Sequence, residues 1–171
     1  MRMSSPWTPA LIAGLVLLID QLSKWWILST FRIYESLPVI PGFFDLTFVT
    51  NTGAAFGILA GEQNIWRQIF FVAMTLVALV VLCSAFRHYR HIGKLYVVGI
   101  GLVSGGALGN LVDRLRFGHV VDFLDFYVKG HHWPAFNAAD SAITVGVAMF
   151  LLAGYLEYRS EKKDLVGSVD A

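Results

Sequence analysis

A chain of 171 residues with 56% hydrophobic and only 15% charged residues departs from the roughly 45–50% and about 25% of soluble domains, which excludes an ordinary water-soluble fold and points to lipid as the solvent. A formal net charge of +1 with no basic stripe argues against a nucleic-acid partner. The single cysteine, Cys83, sits in an apolar run, which rules out an internal disulfide and CxxC metal or redox chemistry and makes packing its expected role. The length suits one domain.

A bilayer crossing takes about 20 mostly apolar residues, and four stretches qualify. The first, residues 9–28, follows Arg2 and could imitate a signal peptide, but Asp20 and Lys24 interrupt it, so a retained helix is expected. The long connection that follows contains Leu46-Thr-Phe-Val-Thr50, whose alternation suits a short strand, with Pro38, Pro41 and Gly42 as punctuation before it. Residues 69–86 form the second span, without a charge, and residues 95–112 the third, also uncharged. Gly101, Gly105 and Gly109 lie four apart in that third span, making a groove that lets a neighbouring helix approach closely. The fourth span, residues 135–156, carries Asp140 near its start.

Orientation follows from Lys and Arg in short loops. Arg87, Arg90 and Lys94 crowd the brief connection between spans two and three, Arg159, Lys162 and Lys163 follow span four, and Arg2 precedes span one. Both termini are therefore expected in the cytoplasm. Trp25, Trp26, Phe43, Phe44, Trp66 and Trp133 gather at the opposite level, as an interfacial belt does. The expected fold is all-α and membrane-embedded: a four-helix transmembrane bundle with a small extracytoplasmic β-sheet on the outer leaflet.

Ionisable residues inside a span cost at least about 2.5 kcal/mol each. Asp20 and Lys24 are four apart and share a helix face, where they can pair. Asn110 and Arg114 are four apart at the outer end of span three, and Asn137, Asp140, Ser141 and Thr144 form a polar strip on span four. With that span starting near Ala135, Asp140 is expected roughly 8 Å inside its outer end. Asp122 belongs to the loop after span three, flanked by valines and Phe123, and is expected at the same level. Two such acids cannot both ionise cheaply and share a proton, which suits hydrolysis by general acid and base without metal or covalent nucleophile. Paired intramembrane acids also serve proton relays and ion pathways, so spacing alone leaves those readings open.

Five blocks narrow the choice: Asp20-Gln-Leu-Ser-Lys24, Asn51-Thr-Gly-Ala-Ala-Phe-Gly57, Gly105-Gly-Ala-Leu-Gly-Asn-Leu-Val-Asp-Arg114, Gly118-His-Val-Val-Asp-Phe123 and Phe136-Asn-Ala-Ala-Asp-Ser141. In this order they resemble the lipoprotein signal peptidases (signal peptidase II), bacterial aspartic peptidases that trim prolipoproteins. The resemblance implies that Asp122 and Asp140 are the catalytic pair. It gives Asn51, Asn110, Arg114 and Asn137 places around the substrate or dyad, and makes Asp20 a polar support. It further implies prolipoproteins whose cysteine carries diacylglycerol, cut on the amino side of that cysteine, in the bacterial inner membrane with the site near the periplasmic face. No metal or organic cofactor, globomycin sensitivity and a monomer among membrane lipids are likewise expected.

Two other classes compete. A transporter or channel would place polar residues across the whole membrane, and spans two and three have almost none in their middles. A membrane scaffold leaves the polar cluster unexplained. Within enzymes, Ser23 and Lys24 are adjacent and point about 100° apart, which disfavours a Ser–Lys pair. His119, His131 and His132 come without an HExxH helix, which disfavours zinc.

Overall fold

The computed structural model describes residues 5, 7–53, 59, 61 and 64–169, with residues 161 and 163–169 by backbone alone. Arg2, residues 54–57 of the Asn51 block and the Lys163 side chain lie outside the described residues. Four helices carry the chain through lipid, where every backbone N–H and C=O must be satisfied within the segment. They are α1 (Thr8–Thr30), α2 (Ile65–Tyr89), α3 (Lys94–Phe117) and α4 (Ala138–Val169), and all four are long and apolar enough to cross a membrane. Between them lie β1 (Ser36–Ile40), β2 (Phe44–Asn51), β3 (Val120–Val128) and β4 (His131–His132), joined in one antiparallel sheet in the order β1-β2-β3-β4.

α3 is the axis of the bundle. Among the four helices it alone has most of its span buried, and it packs against α1, α2 and α4. Its glycines make this possible. Gly101 and Gly105 lie against Pro9, Ile12, Ala13 and Val16 of α1, while Gly99 and Gly106 lie against Ala139, Ile143, Gly146 and Phe150 of α4. The groove read from Gly101, Gly105 and Gly109 is thus half of the device, and a second glycine face meets α4. On α1, the buried residues Ala13, Asp20, Lys24 and Ile27 follow the seven-, four- and three-residue steps of a single helical stripe. α2 is attached far more lightly, with Phe71 its one buried side chain among the described residues. Cys83 is exposed on α2, so it faces outward to lipid and does not pack inside the bundle as expected.

The sheet differs from expectation in one important place. The strand expected at residues 46–50 lies within β2, but Asp122 is on a strand too, not in a loop. Val120-Val-Asp-Phe-Leu-Asp-Phe-Tyr-Val128 is rich in β-branched and aromatic residues, which fit a pleated, half-buried surface. Gly118 starts it: with φ of 76° it ends α3 in the left-handed region, its N–H bonded to the Arg114 carbonyl at 3.0 Å, a conformation that glycine adopts without steric cost. The chain then pairs antiparallel with β2, Val49 opposite Asp122, after a register shift between Leu46 and Val49. Val121 and Phe123 close a small core with Ile27 and Phe31 at the end of α1.

α4 begins at Ala138, three residues after the expected start. The preceding residues are held by β3 instead: Phe136 N donates to the Leu124 carbonyl (3.1 Å), and Phe123 N and Leu124 N donate to the Phe136 carbonyl (3.0 and 2.8 Å). Asp140 is consequently in the first turn of α4, shallower than the depth inferred from sequence. Of the aromatics assigned to a belt, Trp25, Trp26, Phe43, Trp66 and Trp133 are exposed, while Phe44 is half-buried and stacks on Phe126.

The glycine contacts give a test. A Cβ at Gly105 would come within 2.7 Å of Val16 Cβ and 2.8 Å of the Ala13 carbonyl oxygen, whereas one at Gly14 would meet nothing within 4 Å. Gly105→Ala is expected to destabilise by about 1–3 kcal/mol, the usual cost of overpacking. Gly14→Ala should stay within about 0.5 kcal/mol of the parent. Thermal unfolding in detergent micelles measures both.

Candidate active site

The sequence-derived residues Asp20, Asn51, Asn110, Arg114, Asp122, Asn137 and Asp140 converge where α1, α3, β3 and the start of α4 meet. Asn137 is the hinge of the cluster. Its Oδ1 accepts from Asp140 N (2.9 Å), while Asp140 Oδ2 accepts from Asn137 N (3.3 Å). This reciprocal pair is a capping box at the start of α4, and it fixes the Asp140 carboxylate relative to the helix end. The Asn137 Nδ2 donates to Asp122 Oδ1 (2.7 Å), to the Val121 carbonyl (3.2 Å) and to Asn110 Oδ1 (3.3 Å). Asn110 Nδ2 in turn donates to Asp140 Oδ1 at 2.8 Å. The two acids are therefore joined through two amides, Asp122 to Asn137 to Asn110 to Asp140.

Asp122 is 2% exposed. Burial, followed by the negative charge of Asp140, pushes its carboxyl up to about 7 from the ordinary 3.8, against the opposing pull of hydrogen bonds from Asn51 and Asn137 and the charge of Lys24. The Asn51 side chain thus touches the Asp122 carboxylate, and its own Oδ1 accepts from Gly53 N at 2.9 Å. Arg114 does not pair with an acid among the described residues. Its Nη2 donates to the Gly53 carbonyl (2.8 Å), its Nη1 reaches the Asn110 carbonyl (3.5 Å), and its guanidinium lies 5.1 Å from the centre of the Phe71 ring, a cation–π arrangement. Gln68 Nε2 occupies the Arg114 carbonyl at 2.8 Å.

A cavity of about 700 Å³ opens beside this cluster between α2, α3 and α4. Asn51, Asn110, Arg114 and Asp140 supply its polar corner, and Phe71, Met74, Ala107 and Ile143 are among its apolar lining. Small polar groups at one end of an apolar cleft suit a peptide segment held in lipid with one polar bond presented.

Asp20 stands behind the pair. Its Oδ1 accepts from Ala139 N (2.9 Å), and its Oδ2 meets Lys24 Nζ at 2.9 Å, the i,i+4 partner expected from sequence. Asp113, which is not among the site residues expected from sequence, is 1% exposed and meets Lys24 Nζ at 2.8 Å. It also accepts from Gln21 Nε2 (2.9 Å) and Val121 N (3.1 Å). A signal was available: Asp113 is three residues from Asn110 and four from Gly109, which sets it between the two around the helix. Lys24 spends all its donors within this cluster, with Asn110 Oδ1 at 3.0 Å as the third, while Ser23 Oγ donates to the Asp20 carbonyl. His132 Nδ1 is 2.9 Å from Asp125, and no group of metal-binding side chains forms among the described residues.

A family model described as signal peptidase (SPase) II matches residues 12–156. A lipoprotein signal peptidase of Syntrophus aciditrophicus is 49% identical over 150 residues, 88% of this chain and 92% of its own. Another, from Syntrophotalea carbinolica, is 54% identical over 143 residues, 84% of this chain and 88% of its own. A solved structure described as a bacterial membrane enzyme superposes with a TM-score of 0.82 at 38% identity, covering 94% of each chain.

The raised Asp122 predicts a pH-dependent stability with a definite sign. Below about pH 4 the carboxyl is protonated folded or unfolded; between 3.8 and about 7 only the folded state holds the proton, so stability falls as pH rises through that window. Asp122→Asn removes this slope. Its melting temperature relative to the parent should climb from pH 4 to pH 8, by an amount equivalent to at most about 4 kcal/mol. A parallel pH course for the two proteins in differential scanning fluorimetry would show that Asp122 titrates normally.

Proposed function

The chain belongs to the signal peptidase II family of lipoprotein signal peptidases, multi-pass membrane enzymes of the aspartic type, and from that premise we propose that Asp122 and Asp140 are its catalytic pair. The observation that carries this reading is the amide chain joining them, Asp122 to Asn137 to Asn110 to Asp140, at the polar corner of an apolar cavity. Two interacting carboxylates hold one proton between them. Burial of Asp122 keeps that proton on its carboxyl, and Asp140, on the cavity wall, serves as the base.

In the first step Asp140 takes a proton from water as the water oxygen adds to the scissile carbonyl carbon, and Asp122 gives its proton to the carbonyl oxygen. The resulting gem-diol collapses when one hydroxyl returns its proton to Asp122. The C–N bond then breaks, and the leaving nitrogen takes the proton from Asp140. Asn110 and Asn137 keep the carboxylates oriented through the cycle, and Asn51 supplies a donor to the ionised form of Asp122. Arg114, tied to the Gly53 and Asn110 carbonyls, shapes the edge of the cavity and holds substrate there. The planar fork of an arginine suits that task in a way a lysine does not.

The substrate is a prolipoprotein whose cysteine already carries diacylglycerol, cut on the amino side of that cysteine. Its acyl chains stay in the outer leaflet while the signal peptide spans the bilayer, so the scissile bond arrives at the interface. The basic loop at Arg87, Arg90 and Lys94 and the basic tail support cytoplasmic termini. That orientation turns the sheet and the site towards the periplasm.

The decisive assay incubates purified protein with a diacylglyceryl-modified prolipoprotein and its unmodified form. Cleavage of the modified form alone is expected, unaffected by EDTA. Asp122→Asn and Asp140→Asn should each lower the rate by at least about 10³-fold, of the order seen when one member of a concerted catalytic unit is removed, while the protein remains folded in the membrane. A fully active Asp140→Asn protein sinks the dyad. Reporters fused after Arg90 and after Gly130 are expected on opposite sides of the membrane; both in the cytoplasm would refute the orientation.

A further inference from the structure

Three groups with no part in the reaction as written above are buried directly behind the acids. Asp20, Lys24 and Asp113 are 0%, 2% and 1% exposed. A lone ion pair at such a depth is weak evidence for stability, because desolvation offsets the attraction. The contacts made by these three groups point to a different use. Two of them reach the elements that carry the catalytic pair, and the third reaches an amide that serves it. Asp20 Oδ1 accepts from Ala139 N, in the first turn of α4 beside Asp140. Asp113 Oδ2 accepts from Val121 N, the strand residue before Asp122. Lys24 Nζ donates to Asn110 Oδ1, the amide that serves Asp140.

The last contact is directional. An ammonium has three donors and no acceptor, and those of Lys24 go to Asp20 Oδ2 (2.9 Å), Asp113 Oδ2 (2.8 Å) and Asn110 Oδ1 (3.0 Å). The oxygen of the Asn110 amide must face the ammonium, because the flipped amide would set NH₂ against NH₃⁺. Asn137 Nδ2, at 3.3 Å from the same oxygen, enforces the same choice. With the oxygen committed, the Asn110 N–H is the group left to face Asp140. Were the amide flipped, a carbonyl oxygen would oppose the carboxylate and repel its ionised form.

We propose that Lys24 is a positioning residue of the peptidase: held between Asp20 and Asp113, its ammonium fixes the Asn110 amide so that an N–H is presented to Asp140. The proposal rests on the assignment of Asp140 to the catalytic pair. Lys24 is buried and lines no part of the cavity; beyond the pull of its charge on Asp122, which the Met and Gln versions below lack equally, it acts through Asn110. Its effect therefore falls on turnover, with substrate affinity unchanged.

Lys24→Met by itself would leave two buried carboxylates facing each other, so the test starts from the neutral background Asp20→Asn with Asp113→Asn. That background keeps an acceptor for Ala139 N and one for Val121 N. In it, Lys24→Met offers Asn110 no donor, while Lys24→Gln offers a neutral one. Prolipoprotein cleavage is measured for both, with thermal melting as the check of fold. The Met version is expected to lose about ten- to a hundredfold in kcat, each tenfold being about 1.4 kcal/mol of barrier, with KM within about twofold. The Gln version should recover at least about fivefold of that loss. Adding Asn110→Ala to the Met version should cost clearly less than it does with Lys24 in place, because part of the shared route is already cut. Equal kcat for folded Met and Gln versions, or a full additional loss from Asn110→Ala, overturns the proposal. Loss of the folded protein in both assigns the three charged groups to folding and overturns it too. Asp122→Asn and Asp140→Asn are assayed alongside: if either is active the dyad itself fails, whereas inactive dyad variants with a fully active Met version reject only the role of Lys24.

Discussion

Apart from Lys24, the charged and amide groups that meet at the centre of this bundle are mostly on short side chains, and a carboxylate or amide on one helix reaches its partner on another only where the backbones nearly touch. Lipid supplies no hydrophobic force to press helices together, so close packing and interhelical hydrogen bonds must do it. α3 answers with glycine on two faces, Gly101 and Gly105 against α1 and Gly99 and Gly106 against α4. Gly109 is the meeting point of both, lying against Asp20 of α1 and Ala139 of α4. Beside it Asn110, and one turn further out Asp113, can then touch Lys24, and Asn110 can touch Asp140. The polar cluster is a result of that packing as much as a cause of it.

Termination of secondary structure then does the fine placement. The N–H groups of the first turn of a helix lack intrahelical partners. At α4 the Asp140 N–H goes to the side chain of Asn137, the Ala139 N–H to Asp20, and the Asn137 N–H to Asp140 itself. Carboxylates are favoured near that positive end of the helix. The opposite acid is placed by a strand that begins at a left-handed glycine and is pinned by the Asp113 carboxylate. Two secondary-structure ends, each satisfied by buried side chains, set the two acids where they face common amides. Among the described residues no buried side-chain polar atom is left without a partner.

Much of this was legible in the chain. Hydrophobic run lengths located the helices, the glycine spacing located one face of α3, and the i,i+4 relation paired Asp20 with Lys24. The sequence brings Asp122 to the level of Asp140, but it suggests a loop where the structure has a strand. The run from Val120 to Val128 is nearly all apolar or aromatic, and periodicity alone does not distinguish such a run from other buried segments. Its partner strand lies about seventy to eighty residues earlier, a pairing no local pattern carries. The start of α4 was misplaced for the same reason, since residues 135–137 are held by a bridge between Phe136 and Leu124, a contact across the fold. Helical spacing sets Asp113 near Asn110 on α3, but its pairing with Lys24, on another helix, is a contact that spacing along one helix does not carry.

α2 has a consequence for how reaction rates are to be counted. It closes the cavity on one side, yet its substantial packing is all with α3 and its span is otherwise open to the hydrocarbon. An enzyme walled in this way and its lipoprotein substrates inhabit the same two-dimensional fluid. Encounter is governed by molecules per unit area and by lateral diffusion, and bulk molarity has no direct meaning for it. Diluting the membranes with buffer leaves the substrate density around each enzyme unchanged, whereas adding inert lipid or detergent thins it. A Michaelis constant for such a protein is a mole fraction in the bilayer, and values taken at different detergent-to-protein ratios belong on one scale only after conversion to it.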